Sequence, residues 1–241
     1  MRCGFSLVEL SIVLEILGLL AGGVLSGQSL IRAAELRSVG QSVDKYRTAV
    51  YTFRDKYFSL PGDMSNATQF WGAADADATT CKSLTTASSD KKTCDGNGDG
   101  SIGVAHSPTT NVSDYYERFR VWQHLANAGL IEGQYSGVTG NGGALPAEQP
   151  IVGVNVPKGK ISNTGFTFYN IPNHTDVAKY FAGPTGNYLF FGTAGSNVTS
   201  NPVLTPEEQW NIDVKLDDGK AGYGVIQGLP SSNPVGGAGC T

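Results

Sequence analysis

The sequence has no excess of positive charge and none of the common catalytic motifs. Its 17 lysine and arginine residues are outnumbered by 21 aspartate and glutamate residues, which gives a formal net charge of -4. Tight binding to a phosphate backbone needs clustered basic residues, so nucleic acid is not an expected partner. The chain contains no Gly-x-Ser-x-Gly, no His-Glu-x-x-His and no phosphate-binding glycine loop. It is therefore not predicted to be an enzyme.

Cysteine is scarce, with four residues at Cys3, Cys81, Cys94 and Cys240. No pair of them has the close spacing of a zinc site. Cys81 and Cys94 are near enough in sequence to close one loop with a disulfide in an oxidising compartment. Cys240 would then be free or reserved for another partner, and a bridge from Cys94 to Cys240 is the alternative.

A long apolar run, Phe5 to Leu25, occupies the N-terminal part of the chain. About 20 residues rising roughly 1.5 Å each span a bilayer core of about 30 Å, so this run is long enough to cross a membrane as a helix. A secretory signal peptide has its cleavage site after the apolar region, whereas the plausible junction here, Gly4-Phe5, precedes it. Cleavage there would leave the apolar helix on the mature chain.

Glu9 and Glu15 interrupt the apolar run. A carboxylate in the bilayer core costs roughly 3 kcal/mol and normally has a partner. For Glu9 the natural partner is the α-amino group that cleavage before Phe5 would create, on an axially staggered neighbouring copy. Glu15 would be neutral, or would pair with Arg32 or Lys45 of such a copy.

The segment Gly4-Phe5-Ser6-Leu7-Val8-Glu9-Leu10 resembles the processing site of type IV pilins and type II secretion pseudopilins. This resemblance implies cleavage after Gly4 by a prepilin peptidase and methylation of Phe5. It also implies that Glu9 neutralises a neighbouring amine during assembly by inner-membrane machinery. Two features depart from the family: the four-residue leader has a single positive charge, and Glu15 replaces a residue that is usually apolar.

A second apolar stripe extends the helical pattern beyond Gly27. Its members recur at spacings of three and four: Leu36, Val39, Val43, Tyr46, Val50, Phe53 and Tyr57. The pattern predicts one helix of more than fifty residues that ends near Leu60-Pro61-Gly62. A coiled-coil dimer is the alternative, but the aromatic residues of the stripe favour docking on a sheet.

The polar region from Asp63 to Ser113 contains a candidate calcium loop. Its acidic and amide residues alternate as the first, third and fifth ligands of an EF-hand do, but His106 stands where the final glutamate belongs. An acid from elsewhere, Asp114 or Glu117, would complete the shell. The predicted calcium ligands are Asp95, Asn97, Asp99, Ser101 and Glu117. The alternative is a run of Asx-Gly turns without an ion.

Beyond this loop the sequence predicts two helices. The first lies in the segment from Asp114 to Ile131, is amphipathic and is predicted to end near Gly129. His124 beside its apolar stripe is predicted to be packed or solvent-facing rather than catalytic. The second follows Thr205, a predicted N-cap with proline at the next position. The three acids after it are Asp213, Asp217 and Asp218. They form either a second cation site or a solvated helix end.

Short β-like runs separated by Gly, Pro and Asn predict an antiparallel sheet in the C-terminal half. They are Ile151–Val156, Phe166–Ile171, Tyr188–Thr193 and Tyr223–Gln227. The predicted fold is α+β and pilin-like. Residues 1–4 form a leader, residues 5–60 a long helix whose residues 5–26 lie in the membrane or filament core, and residues 61–241 a globular domain.

The predicted function is that of a structural subunit of a type IV pilus or a type II secretion filament, polymerised with other pilins or pseudopilins. The resemblance implies that it is first stored in the bacterial inner membrane with its globular domain in the periplasm. It then enters a filament in the periplasm or on the cell surface. The alternative is a membrane-anchored periplasmic binding module or enzyme that uses the same leader only for targeting.

Overall fold

The computed structural model describes residues 6–74, 90–103, 114–138, 149–171, 185–195, 198–220 and 222–228. It contains a long N-terminal helix, three shorter helices and two strands. In chain order they are α1 (Leu7–Tyr57), α2 (Ala67–Trp71), α3 (Asp114–Asn127), β1 (Thr164–Ile171), β2 (Gly186–Thr193) and α4 (Pro206–Leu216). This is an α+β arrangement, as the sequence predicted.

Helix α1 runs unbroken for 51 residues, which confirms the prediction of a single long helix. It begins after Ser6, whose side chain accepts a hydrogen bond from the Val8 amide. It ends at Tyr57 because Phe58 adopts left-handed backbone angles, with φ of 54°. The helix thus ends just before the predicted break at residues 60–62.

The sheet has two antiparallel strands, with Phe166 opposite Phe191 and Phe168 opposite Leu189. The other two predicted strands are absent from the described residues. Between 151 and 156 the Asn155 side chain accepts from the Ile151 amide and closes a turn, so only an isolated bridge forms. In the segment 223–227, the backbone amides of Val225 and Ile226 donate to the Asp217 side chain. These amides are therefore not free to pair with a neighbouring strand.

The core forms where the second half of α1 meets α3 and β1. Tyr46 of α1 packs edge-on against Trp122 of α3 and Phe166 of β1, with ring centroids 4.9 and 5.1 Å apart. The apolar stripe of α1 therefore docks on the chain's own globular part, and the coiled-coil alternative is not needed to bury it.

The shorter helices have ends that their sequences explain. Helix α3 ends at Asn127, close to the predicted end near Gly129, because Gly129 adopts a φ of 72° and the Leu130 amide donates back to the Leu125 carbonyl. Helix α4 begins as predicted with Thr205, whose hydroxyl accepts from the Glu208 amide. Helix α2 has only five residues and was not predicted.

Candidate functional site

The first half of α1 presents apolar side chains to the outside of the molecule. Its exposed large apolar residues are Leu7, Val8, Leu10, Ile12, Val13, Leu14, Ile16, Leu17, Leu19, Leu20, Val24, Leu25, Leu30 and Ile31. Among the described residues, α1 is the one helix long and apolar enough to cross a membrane, and none of its most apolar window is buried. A continuous apolar surface of this size needs lipid or other protein to cover it.

Glu9 lies at the start of this surface and helps to cap the helix. Its Oε2 accepts a hydrogen bond of 2.9 Å from the Ser6 amide. The pattern Ser-x-x-Glu is a capping box, a sequence signal that the membrane and charge arguments overlooked. No described residue donates to Oε1, so the carboxylate keeps one oxygen for a further partner. Gly4 and Phe5, the predicted cleavage and methylation positions, lie outside the described residues.

Of the two cations considered as partners for Glu15, Arg32 is engaged within its own chain. Its guanidinium binds both carboxylate oxygens of Glu208, at 2.6 and 2.8 Å, and also Glu35 at 3.1 Å. Lys45 lies 3.9 Å from Glu132 and is about half exposed. Lys45 is therefore the more accessible of the two to a neighbouring copy.

The candidate calcium loop is held by hydrogen bonds rather than arranged around a shared centre. Both oxygens of Asp95 accept from Thr68, one from its amide at 2.7 Å and one from its hydroxyl at 3.0 Å. Asn97 Oδ1 accepts from the Asp99 amide, and Asp99 Oδ1 accepts from the Ser101 amide. These are two successive Asx turns, the alternative that the sequence left open.

Two buried carboxylates accept hydrogen bonds from main-chain amides of residues 97–103. Glu117 of α3 accepts from the amides of Asn97 and Gly103, at 3.0 and 3.1 Å. Asp63, which the sequence analysis did not single out, accepts from the amides of Asp99 and Gly100, both at 3.0 Å. Burial raises the pKa of Glu117 to about 8, and burial also raises the pKa of Asp63.

The structure does not bring the acidic members of the predicted calcium shell together. Among the described residues, Asp95, Asp99 and Glu117 do not belong to any group of three acids with ligand oxygens within 4.8 Å of one another. The side chain of Asp114 lies outside the described part of the chain. Calcium binding in this loop stays a prediction, and the observed contacts account for its shape without an ion.

Cys94, at the start of the loop, is disulfide-bonded. Cys81, its predicted partner, lies outside the described residues, as does Cys240. The pairing therefore stays a prediction. Its effect on the loop is clear in either case, because a covalent bond at Cys94 restrains the chain next to Asp95.

His124 is packed, as predicted. Its side chain is fully buried and stacks near Phe53. Nδ1 accepts from the Gly62 amide at 3.0 Å, and Nε2 lies 2.9 Å from the Thr93 hydroxyl. Burial and the nearby charge of Arg120 lower the pKa of His124 to about 3, so the ring is neutral at physiological pH and joins three segments of the core.

Comparison of the chain with protein-family models, with curated proteins and with solved structures found no match.

Proposed function

We propose that this chain is a filament subunit of the type IV pilin or type II secretion pseudopilin kind, and that it is not an enzyme. The observation that carries the proposal is the division of α1 into an exposed apolar half and a half docked on the globular part. An anchor and a filament core both need an exposed apolar helix, and a long rigid helix lets identical copies stack in stagger.

The mechanism is packing rather than bond-breaking. A prepilin peptidase would cleave between Gly4 and Phe5 on the cytoplasmic side, and Phe5 would be methylated. Inner-membrane machinery would then extract the subunit into a filament with other pilins or pseudopilins, and the apolar surface would exchange lipid for neighbouring helices. Because that exchange is nearly balanced in free energy, a specific contact is needed to set the register. The Oε1 atom of Glu9, to which no described residue donates, is available to a neighbour's amine.

The second candidate is a membrane-anchored periplasmic binding module. It would share the exposed anchor but would stay solitary, since its function would lie in the globular part. The exposed surface extends as far as Ile31, which exceeds the about 20 residues that a bilayer core requires. This additional apolar length favours helix-to-helix packing over simple anchoring.

The decisive experiment combines mass spectrometry of the mature N-terminus with two variants of Glu9. We expect the mature chain to begin at methylated Phe5. Glu9→Gln keeps an oxygen that can accept from the Ser6 amide but removes the charge, whereas Glu9→Ala removes both. If charge neutralisation sets the register, both variants are processed and both form few filaments.

A mature chain that begins at another residue would contradict the filament-subunit proposal, whereas normal filament yield in Glu9→Gln would contradict only the role of the Glu9 charge in setting the register. Normal yield in Glu9→Gln with poor yield in Glu9→Ala would assign Glu9 to helix capping alone. A processed chain that remains solitary with Glu9 intact would favour the binding module.

A further inference from the structure

An open groove runs beside the second half of α1, where the turn that follows α3 approaches the helix. Its lining residues belong to one face of α1 and to that turn: Gln41, Asp44, Lys45, Thr48, Ala49, Thr52, Gly129 and Leu130. Positions three and four apart on a helix lie above one another, so the groove follows the helix axis. A second helix lying parallel to α1 fits a groove of this direction.

The groove combines small side chains with one cation. Thr48 and Ala49 leave room along its base, and Lys45 is the cation among the lining residues. The Lys45 Nζ atom lies 3.9 Å from the carboxylate of Glu132, whose side chain is 96% exposed, so water screens this pair. The Lys45 ammonium group is therefore accessible to an acid that enters the groove.

Glu15 is an acid that needs such a partner. Glu9 and Glu15 are the two charged residues of the exposed apolar half of α1, between positions 7 and 31. Glu9 caps the helix, whereas no cation among the described residues pairs with Glu15. A carboxylate on an apolar helix surface is costly without a partner. Because pilins usually have an apolar residue at this position, the family resemblance implies no partner for Glu15.

The face of α1 that carries Glu15 consists otherwise of small residues. Ser11, Gly18 and Gly22 lie on it, at spacings of three and four from Glu15 or from each other. A Cβ added at either glycine would meet nothing within 4 Å, so the fold of the single chain does not require glycine there. Glycine also destabilises a helix interior. Close packing of a helix from another molecule would account for both positions.

We propose that the groove of one copy binds the Glu15 face of a parallel, axially staggered second copy, and that Glu15 forms an ion pair with Lys45. A stagger of 30 residues, about 45 Å along the helix, places the two side chains at the same height. A stagger smaller by one residue would bring Glu15 to Asp44, and repulsion between like charges disfavours it. The two charges of the groove therefore select one register.

The small residues of the two surfaces match at the same stagger. Gly18 of the second copy is level with Thr48 of the groove, and Gly22 is level with Thr52. Small side chains opposite glycine allow two helix backbones to approach closely. The inference rests on the proposed function, since it takes parallel staggered copies from the filament and adds their register and their contact.

A pair of introduced cysteines tests the register. Gly18→Cys and Thr48→Cys in one chain are separated by about 45 Å of helix, far beyond the reach of a disulfide, so a bond between them must join two copies. We expect assembled filaments of this double variant, oxidised with copper-phenanthroline, to give a ladder of covalent oligomers on a non-reducing gel. Each single variant keeps the native cysteines and should give no ladder.

Gly18→Cys combined with Arg37→Cys is the matched control. It adds the same number of thiols, and Arg37 is exposed on α1 but does not line the groove. We expect no ladder from this pair. A ladder from it, without one from the pair at 18 and 48, would place the second copy at a different height and overturn the inference.

Exchange of the two charges tests the ion pair. Glu15→Lys and Lys45→Glu should each lower filament yield by about tenfold or more, because each places like charges together in the contact. The double variant should recover most of the yield, whereas Glu15→Lys with Arg37→Glu should not. All three side chains are exposed, so the fold should be kept, which circular dichroism would verify, and mass spectrometry would verify processing.

The outcomes separate this inference from the proposed function. Parent filaments without the ladder from positions 18 and 48 overturn the inference and leave the filament function intact. Failure of Lys45→Glu to restore the yield of Glu15→Lys overturns the ion pair. A bond from Thr48→Cys to a protein of another mass would assign the groove to a different subunit and overturn binding of a second copy. A parent chain that forms no filaments overturns the proposed function and this inference together.

Discussion

At the scale of single residues, the loop at 97–103 is held by carboxylates that accept hydrogen bonds from its main-chain amides. Glu117 and Asp63 each bind two amides of the segment 97–103, so four donors of a loop without regular structure are satisfied by two side chains. Both groups are buried, and burial disfavours their charged forms. The loop is therefore held by groups whose protonation depends on pH.

We predict that the folded state loses stability as pH rises from about 6.5 to 8 and that Glu117→Gln reduces this loss. Below about pH 6.5 the buried His124, whose pKa is lowered to about 3, has the opposite effect, because there the unfolded chain binds the additional proton. The unfolded chain releases the Glu117 proton near 4.5, whereas the folded chain retains it until about 8. Between these values the folded state binds more protons at Glu117, so each pH unit costs up to about 1.4 kcal/mol. Asp63 contributes in the same direction, because its pKa is also raised.

Urea denaturation at several pH values, with a chelator present, would measure this dependence. Glu132→Gln is the control, since that carboxylate is almost fully exposed and should behave as the parent chain. A parent chain whose stability rises with pH over this range would refute the prediction. So would a Glu117→Gln variant with the same slope as the parent.

At the scale of secondary-structure elements, the contact between α1 and α4 combines an ion pair and close packing. Arg32 forms a bidentate ion pair with Glu208 of α4. It also donates to the Val203 carbonyl at 3.0 Å, and so binds the segment before α4. The Arg32 guanidinium lowers the pKa of Glu208 to about 2. Farther along α1, Gly40 leaves room for Leu216. The two contacts place α4 along the long helix.

We predict that Glu208→Gln destabilises the globular part by about 1 kcal/mol at neutral pH, since both side chains remain partly exposed to water. Glutamine retains an acceptor for Thr205, so helix capping is largely kept and the charge is lost. The contribution of Glu208 is present above about pH 4.5 and is lost as pH falls toward 2.

Denaturation of parent and variant at pH 7 and in acid would test this effect. The difference in free energy of unfolding between the two chains should become smaller on acidification. Glu207→Gln, which changes an exposed neighbour on the same turn, should have the stability of the parent chain at both pH values. An equal loss in Glu207→Gln, or a difference that grows in acid, would contradict the assignment.

At the scale of the whole molecule, the two halves of helix α1 have different surroundings, since the first half is exposed and the second half packs on the globular part. The first half of α1 exposes its large apolar side chains, whereas the second half supplies Phe53, which is fully buried and packs with Tyr57 and Trp71. Substitutions in the two halves should therefore have separate consequences. We expect substitutions in the second half to affect folding and, under the proposed function, substitutions in the first half to affect assembly.

We predict that Phe53→Ala lowers the free energy of unfolding by about 3–5 kcal/mol, because it leaves a cavity between α1 and the core. Leu19→Ala, on a side chain that is 72% exposed, should change it by less than about 0.5 kcal/mol. Filament yield, in contrast, should fall in Leu19→Ala. Thermal melts of the purified chains and electron microscopy of assembled material would measure the two effects, and a stability loss in Leu19→Ala would refute the division.

The sequence by itself determined the features that depend on near neighbours along the chain. The apolar run and the stripe that follows it defined α1, because helical periodicity is local, and Thr205 with its proline located α4. Strands β1 and β2 were recognisable for the same reason. The resemblance at Gly4-Phe5 and Glu9 also rests on consecutive residues.

Only the tertiary structure decided how distant polar groups are used. The runs at 151–156 and 223–227 have strand composition, but the side chains of Asn155 and Asp217 take up amides that a sheet would need. The regular spacing of Asp95, Asn97 and Asp99 suggested a common centre, yet Thr68 binds the first of them. The sequence gives the order of donors and acceptors along the chain. Which of them form hydrogen bonds depends on which pairs the fold brings to within about 3 Å of each other.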